Sequence, residues 1–189
     1  MTFNTIGTLF GLTLLTAGLA TAKDSPDQKR EKIRKMAAAT LKDLYKLQPD
    51  AQATVQKSAG YAVFNNVGTH LLLVSTARGK GVAVNSTTKQ DTFMKMISAG
   101  AGLGFGVKDY RVVFVFETEQ ALTTFMDSGW AGSAEADAAA KVNKSGAAYS
   151  GAAMVAPGVW VYQITKNGLA LQLTLQGTKY SKDDDLNKP

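Results

Sequence analysis

Two groups of cationic side chains carry the most chemistry in this sequence. Between Asp27 and Lys46 stand seven Lys and Arg (positions 29, 30, 32, 34, 35, 42 and 46) against three acids (27, 31 and 43). That is a local excess of four positive charges out of six for the chain. Further on, Arg78-Gly79-Lys80-Gly81 sets two cations beside two glycines. Flexible glycines expose backbone N–H groups, and these act with the cations on an oxyanion such as phosphate. Lys29, Arg30, Lys35, Lys42, Arg78 and Lys80 are therefore the candidate anion-binding set. The alternative for each group is plain: a solvated helix face, and a tight turn with exposed cations.

A third feature is Gly100-Ala101-Gly102-Leu103-Gly104-Phe105-Gly106, with glycine at every second position. In a strand, Gly100, Gly102, Gly104 and Gly106 would leave one face as bare backbone, open to close approach by a packed element or by an acyl chain. The stretch is no phosphate loop, because it lacks the GxxxxGK[ST] spacing. Nor does it satisfy GxGxxG, since the fifth residue after Gly102 is Val107.

Other chemistries are poorly supplied. There is no Cys and one His, His70, which excludes disulfides, thiolate metal sites and multi-histidine centres. No catalytic constellation stands out, and no cofactor or metal is expected. Asp183-Asp184-Asp185 lacks the alternate spacing of a calcium loop and reads as a solvated tail. Asn85-Ser86-Thr87 and Asn143-Lys144-Ser145 match the glycosylation sequon. Trp130 and Trp160 read as core residues. Nucleic acid is not expected, because no basic run is interleaved with aromatics.

The elements that must position these groups begin after an uncharged apolar leader. Residues 6–20 form the apolar run, and Ala20-Thr21-Ala22 supplies a cleavage site ahead of Lys23. The expectation is a signal peptide over residues 1–22, cleaved after Ala22, and a periplasmic or secreted product. For an exported protein, a basic amphipathic helix reads as a surface for anionic phospholipid headgroups.

Apolar residues recur at helical spacing over 27–47, with Lys35, Lys42 and Lys46 opposite, and Pro49 ends the run. Asp50 then caps a short helix over 51–57. Residues 61–64, 71–76 and 81–85 read as short strands, with Asn65-Asn66, Arg78-Gly79 and Asn85-Ser86 as turns. A long strand over 92–107 turns back at Lys108-Asp109 into 110–116. That strand has apolar residues on both parities and so reads as central. Thr118 caps a helix to about Asp127 that Gly129 stops. Residues 131–148 lean to strand. Residues 159–165 and 169–175 form a hairpin around Lys166-Asn167-Gly168. A last short strand covers 178–181, and 182–189 is a polar tail.

The sum is an α+β domain: N-terminal amphipathic helices (23–58) packed on an antiparallel, barrel-like or sandwich sheet with one inserted helix (59–187).

The segments Ala59-Gly60-Tyr61-Ala62-Val63-Phe64-Asn65-Asn66-Val67-Gly68, Gly104-Phe105-Gly106-Val107 with Val113-Phe114-Val115-Phe116, Gly158-Val159-Trp160-Val161-Tyr162, and Leu175-Gln176-Gly177-Thr178-Lys179-Tyr180 with Asp184-Asp185-Leu186-Asn187 resemble the SYLF domain in order and spacing. The resemblance implies a non-enzymatic lipid-binding module, with the helix bearing Lys29, Arg30, Lys35 and Lys42 facing the membrane. The family's Gly-Arg-Gly-like segment corresponds to 77–82. This chain departs from the family at His70-Leu71-Leu72-Leu73-Val74, where the family is glycine-rich. The competing reading is an envelope scaffold whose glycine-lined sheet face docks a protein partner; that partner is unidentified.

Overall fold

The computed structural model describes residues 24–71, 74–101, 109–132, 149–170 and 177–188. Helix α1 (Pro26–Leu47) starts on a reciprocal cap. Ser25 Oγ accepts the Gln28 N–H at 3.2 Å, and Gln28 Oε1 accepts the Ser25 N–H at 2.9 Å. Pro26 sits in the first turn, where its missing N–H costs nothing. The buried residues Ile33, Ala37, Thr40 and Leu44 form one stripe. Fully burying a side chain such as Ile33 or Leu44 stabilises by about 1.5–3 kcal/mol.

Helix α2 (Asp50–Lys57) follows with no side-chain cap. Asp50, expected to be that cap, is instead the first helical residue. Pro49 already holds helical angles (φ −57°, ψ −38°), so the helix begins one residue earlier. The Asp50 carboxylate then lies at the positive end of the helix dipole.

Among the described residues, nine strands form one curled antiparallel sheet, a half-barrel, not a sandwich of two. They are β1 (Gly60–Leu71), β2 (Val74–Asn85), β3 (Asp91–Ala101), β4 (Asp109–Phe116), β5 (Trp130–Ala131), β6 (Ala153–Ala156), β7 (Val159–Thr165), β8 (Gly168–Leu169) and β9 (Thr178–Lys182). The order across the sheet is β5-β9-β3-β2-β1-β4-β7-β6, with β8 paired to β7.

The first hairpin corrects the sequence reading. Three short strands were expected over 61–85, separated by turns at Asn65-Asn66 and Arg78-Gly79. Both pairs instead lie inside two twelve-residue strands, with Asn65 opposite Lys80 and Asn66 opposite Gly79. The glycines there serve close packing, not turning. A Cβ on Gly79 would collide with the Asn65 carbonyl oxygen. One on Gly81 would strike Phe64 and the Val63 carbonyl. Gly81 therefore gives the Phe64 ring a place to lie across the strand pair. The turn expected at Asn85-Ser86 is present: Asn85 Oδ1 accepts the Thr87 and Thr88 N–H groups, each at 2.9 Å.

Strand β4 is central, as its composition predicts. Val112, Phe114 and Phe116 enter one apolar cluster with Phe64, Phe125 and Tyr180. Val113 and Val115 enter the other, beneath α1 and α2, with Ile33, Leu44, Val82, Phe93 and Tyr162. Inserted helix α3 (Glu119–Ser128) closes the first face. Thr118 Oγ1 accepts the Ala121 N–H, and Gly129 at φ 74° ends the helix. Phe125 lies 4.9 Å from Phe116 and 5.0 Å from Phe114, centroid to centroid. Strand β7 matches the expected bounds, and the tight link to β8 is Lys166-Asn167, with Gly168 at φ 107°.

The closing segment also departs from expectation. Asp183 and Leu186 are buried, not part of a solvated tail. The reason is a set of backbone grips. Asn187 accepts the Phe93 N–H at 3.0 Å and donates to the Phe93 carbonyl at 2.7 Å. Arg30 donates to the carbonyls of Leu186 and Lys188 at 2.9 and 2.7 Å. The proposed strand over 131–148 lies almost wholly outside the described residues, as do Gly102, Gly104 and Gly106. Gly100 sits in β3, in register with Ser75.

Candidate functional site: a cationic groove beside the first helix

The alternation of β2 explains how the site is made. Arg78, Lys80 and Val82 share the face toward α1, while Gly79, Gly81 and Ala83 share the opposite one. Val82 enters the core beneath α1, so Arg78 and Lys80 emerge where that core ends. On α1, Lys29, Lys32, Ile33 and Met36 follow at the spacing of one helix stripe. These two walls enclose a groove of about 350 Å³, with Asn65 and Leu186 completing it. Among the described residues its charged lining groups are Lys29, Lys32, Arg78 and Lys80, and none of those residues that line it is a carboxylate.

Nearby acids hold two of the four. Lys80 pairs with the buried Asp183, and Lys32 pairs with Asp24 at 2.7 Å. Lys29 and Arg78 form no ion pair among the described residues. Asp185 feels Lys29 at longer range, though its carboxyl is lowered chiefly by its hydrogen bond to Lys188. Two ion-paired cations and two without an ion-pair partner among the described residues therefore edge an apolar floor.

The structure thus brings Lys29, Arg78 and Lys80 together and leaves three other expected residues apart. Arg30 is spent on backbone carbonyls of the closing segment and on Asp27 at 2.6 Å. Lys35 is exposed beside Glu31 at 3.5 Å, and Lys42 lies exposed further along α1. Arg34 turns to Asp91 at 2.6 Å and covers the Phe93 ring. Arg78-Gly79-Lys80-Gly81 is a strand, so the expected anion-cradling turn is not formed; the cations act from a rigid sheet instead. The sequence reading missed Lys32, Asn65 and Leu186. The first was visible as one of the seven cations, but its place beside Lys29 follows only once the helix face is known.

A second cavity, of about 490 Å³, runs along α2, with Asp50, Lys57 and Glu117 around it. Its aromatic side is tied up. Tyr149 stacks on Trp160 at 4.2 Å, and Trp160 Nε1 donates to Glu117 at 2.9 Å. Asn85, the first sequon residue, is buried and donates to Glu119, so it is not open to modification. Trp130 lies against Phe114 and Tyr180 in the core. Among the described residues no group of His, Cys, Asp and Glu is placed to hold a metal, and no helix is long and apolar enough to cross a membrane.

A half-barrel with α1 and α2 on one face and the inserted α3 on the other defines the architectural class. Residues 97–189 match the Ysc84 family, described as Las17-binding protein actin regulator. Over that part of its length the chain is similar to the Ysc84/SYLF family. It is also 36% identical over 170 residues to Beta cell expansion factor A of Aeromonas veronii. The match takes in 89% of this chain and 61% of that protein, so the chain spans less than two thirds of its relative's length.

Proposed function

We propose that this protein is an exported, non-enzymatic module that binds anionic phospholipid surfaces peripherally. The cationic groove and the basic outer face of α1 make the contact. The observation that carries this reading is the convergence of Lys29, Lys32, Arg78 and Lys80, from two distant parts of the sequence, at one end of α1. Lys35 and Lys42 extend the positive surface along the helix. The resemblance to the SYLF domain, which implies a non-enzymatic lipid-binding module, and the match of residues 97–189 to the Ysc84 family support it. The uncharged leader, residues 1–22, supports export.

Each Lys or Arg held near an anionic bilayer contributes about 1 kcal/mol. Reversing Lys29 and Arg78 to Glu therefore costs at least about 2 kcal/mol, or roughly thirtyfold in vesicle affinity. Sedimentation with vesicles of neutral phosphatidylcholine, with and without phosphatidylglycerol, tests this. The protein is expected to pellet only with the anionic vesicles, and to dissociate as salt shortens the screening length. Equal pelleting with neutral vesicles at low salt would overturn the proposal.

A further inference from the structure

A flat charged surface is enough to meet a bilayer, yet this site is a walled cleft. The four α1 residues that line it divide by type. Lys29 and Lys32 are cationic; Ile33 and Met36 are apolar. Leu186 adds apolar surface from the closing segment, and Gly79 contributes only backbone. The volume, about 350 Å³, falls at the lower end of the roughly 300–1,000 Å³ typical of small-molecule sites.

We infer that the groove seats one single-chain amphiphile with a phosphate monoester head, the head between Lys29 and Arg78 and the chain along Ile33, Met36 and Leu186. This deepens the lipid-surface reading and rests on it. Charge decides the head group. Lys80 and Lys32 already have Asp183 and Asp24 as partners, which leaves on each wall one cation with no ion-pair partner among the described residues. A phosphate monoester carries about −1.5 to −2 at neutral pH and matches that pair. The apolar floor decides the rest, because inorganic phosphate would leave it in water. Each buried methylene strengthens binding by up to about fourfold.

The test titrates the full chain with alkyl phosphates of increasing length, each below its micelle concentration, by calorimetry. Inorganic phosphate is the zero-length probe and the corresponding alcohols are the uncharged controls. Affinity is expected to rise with chain length until the groove is full, with the alcohols binding at least about tenfold more weakly. The Met36 methyl resonance should shift with a long alkyl phosphate and stay put with inorganic phosphate. This second readout uses the unaltered protein. Met36→Trp, which fills the apolar wall, should lower alkyl phosphate affinity at least about tenfold with the melting transition retained.

Affinity independent of chain length, or an unmoved Met36 resonance, would overturn the proposal. If anionic vesicles bind and alkyl phosphates do not, the groove assignment fails and the surface reading stands. If neither binds, both fail.

Discussion

Arg78 and Lys80 stand two residues apart on the same face of β2, and different surroundings give them different work. Lys80 reaches a carboxylate, that of Asp183, whose side chain is only 6% exposed. Arg78 projects from the strand with no ion-pair partner among the described residues. Removing Lys80 strands a buried anion, and an unsatisfied buried polar group costs about 1–3 kcal/mol. Removing Arg78 strands nothing, and surface changes of that kind stay within about 0.5 kcal/mol. Urea denaturation should therefore find Lys80→Ala destabilised by about 1–3 kcal/mol and Arg78→Ala close to the parent. Both should lose vesicle affinity. Equal stability of the two variants would show that the Lys80–Asp183 pair contributes nothing to the fold.

The same contrast operates at the scale of elements, where the closing segment ties three of them together. Asn187 grips the backbone of Phe93 in β3, Asp183 receives Lys80 from β2, and Arg30 of α1 holds the carbonyls of Leu186 and Lys188. Leu186 sits in the α1 core cluster. Residues 183–188 thus fix the N-terminal half of α1 against the sheet and shape the groove from behind. Truncation after Lys182 should speed amide exchange in the first turns of α1 and leave β4 and β7, further along the sheet from β3, protected. Uniform loss of protection would instead make the segment part of the global core.

This element was hidden in the sequence. Asp183-Asp184-Asp185 and Asn187 have the composition of a solvated tail, and their partners lie about a hundred residues away or more. The helices and β4 were legible because their signals are local: apolar spacing, caps, and apolar residues on both parities. Arg78-Gly79-Lys80-Gly81 misled for the opposite reason. Glycine is the usual mark of a turn, and only the collision a Cβ would make with the neighbouring strand reveals these glycines as packing positions. Of the candidate site, the cationic residue types were legible. Which of them share a face with Lys80 depended on strand alternation and helix phase, and Arg30 was lost to the backbone it clasps.

Across the whole molecule, the tyrosines record how completely the half-barrel is covered. The chain has six, and all six resist ionisation. Burial pushes Tyr45 and Tyr149 up to about 12, the latter with help from Glu117. Burial also raises Tyr61, Tyr110 and Tyr162, and holds the fully enclosed Tyr180 well above its ordinary value. They come from α1, both sides of the sheet and the segment before β6, so the effect is distributed. In the unfolded chain these phenols ionise near pH 10. Between that value and their raised folded values the unfolded state binds fewer protons than the folded one. Stability must then fall as pH rises, and it is fully present below about pH 10. Denaturant stability should thus be level through neutral pH and drop steeply above about pH 10. Tyrosinate absorbance should appear together with the loss of far-ultraviolet sheet signal. A tyrosinate transition centred near 10 with the sheet signal intact would mean that the phenols face water, and that the two-sided burial of this sheet is wrong.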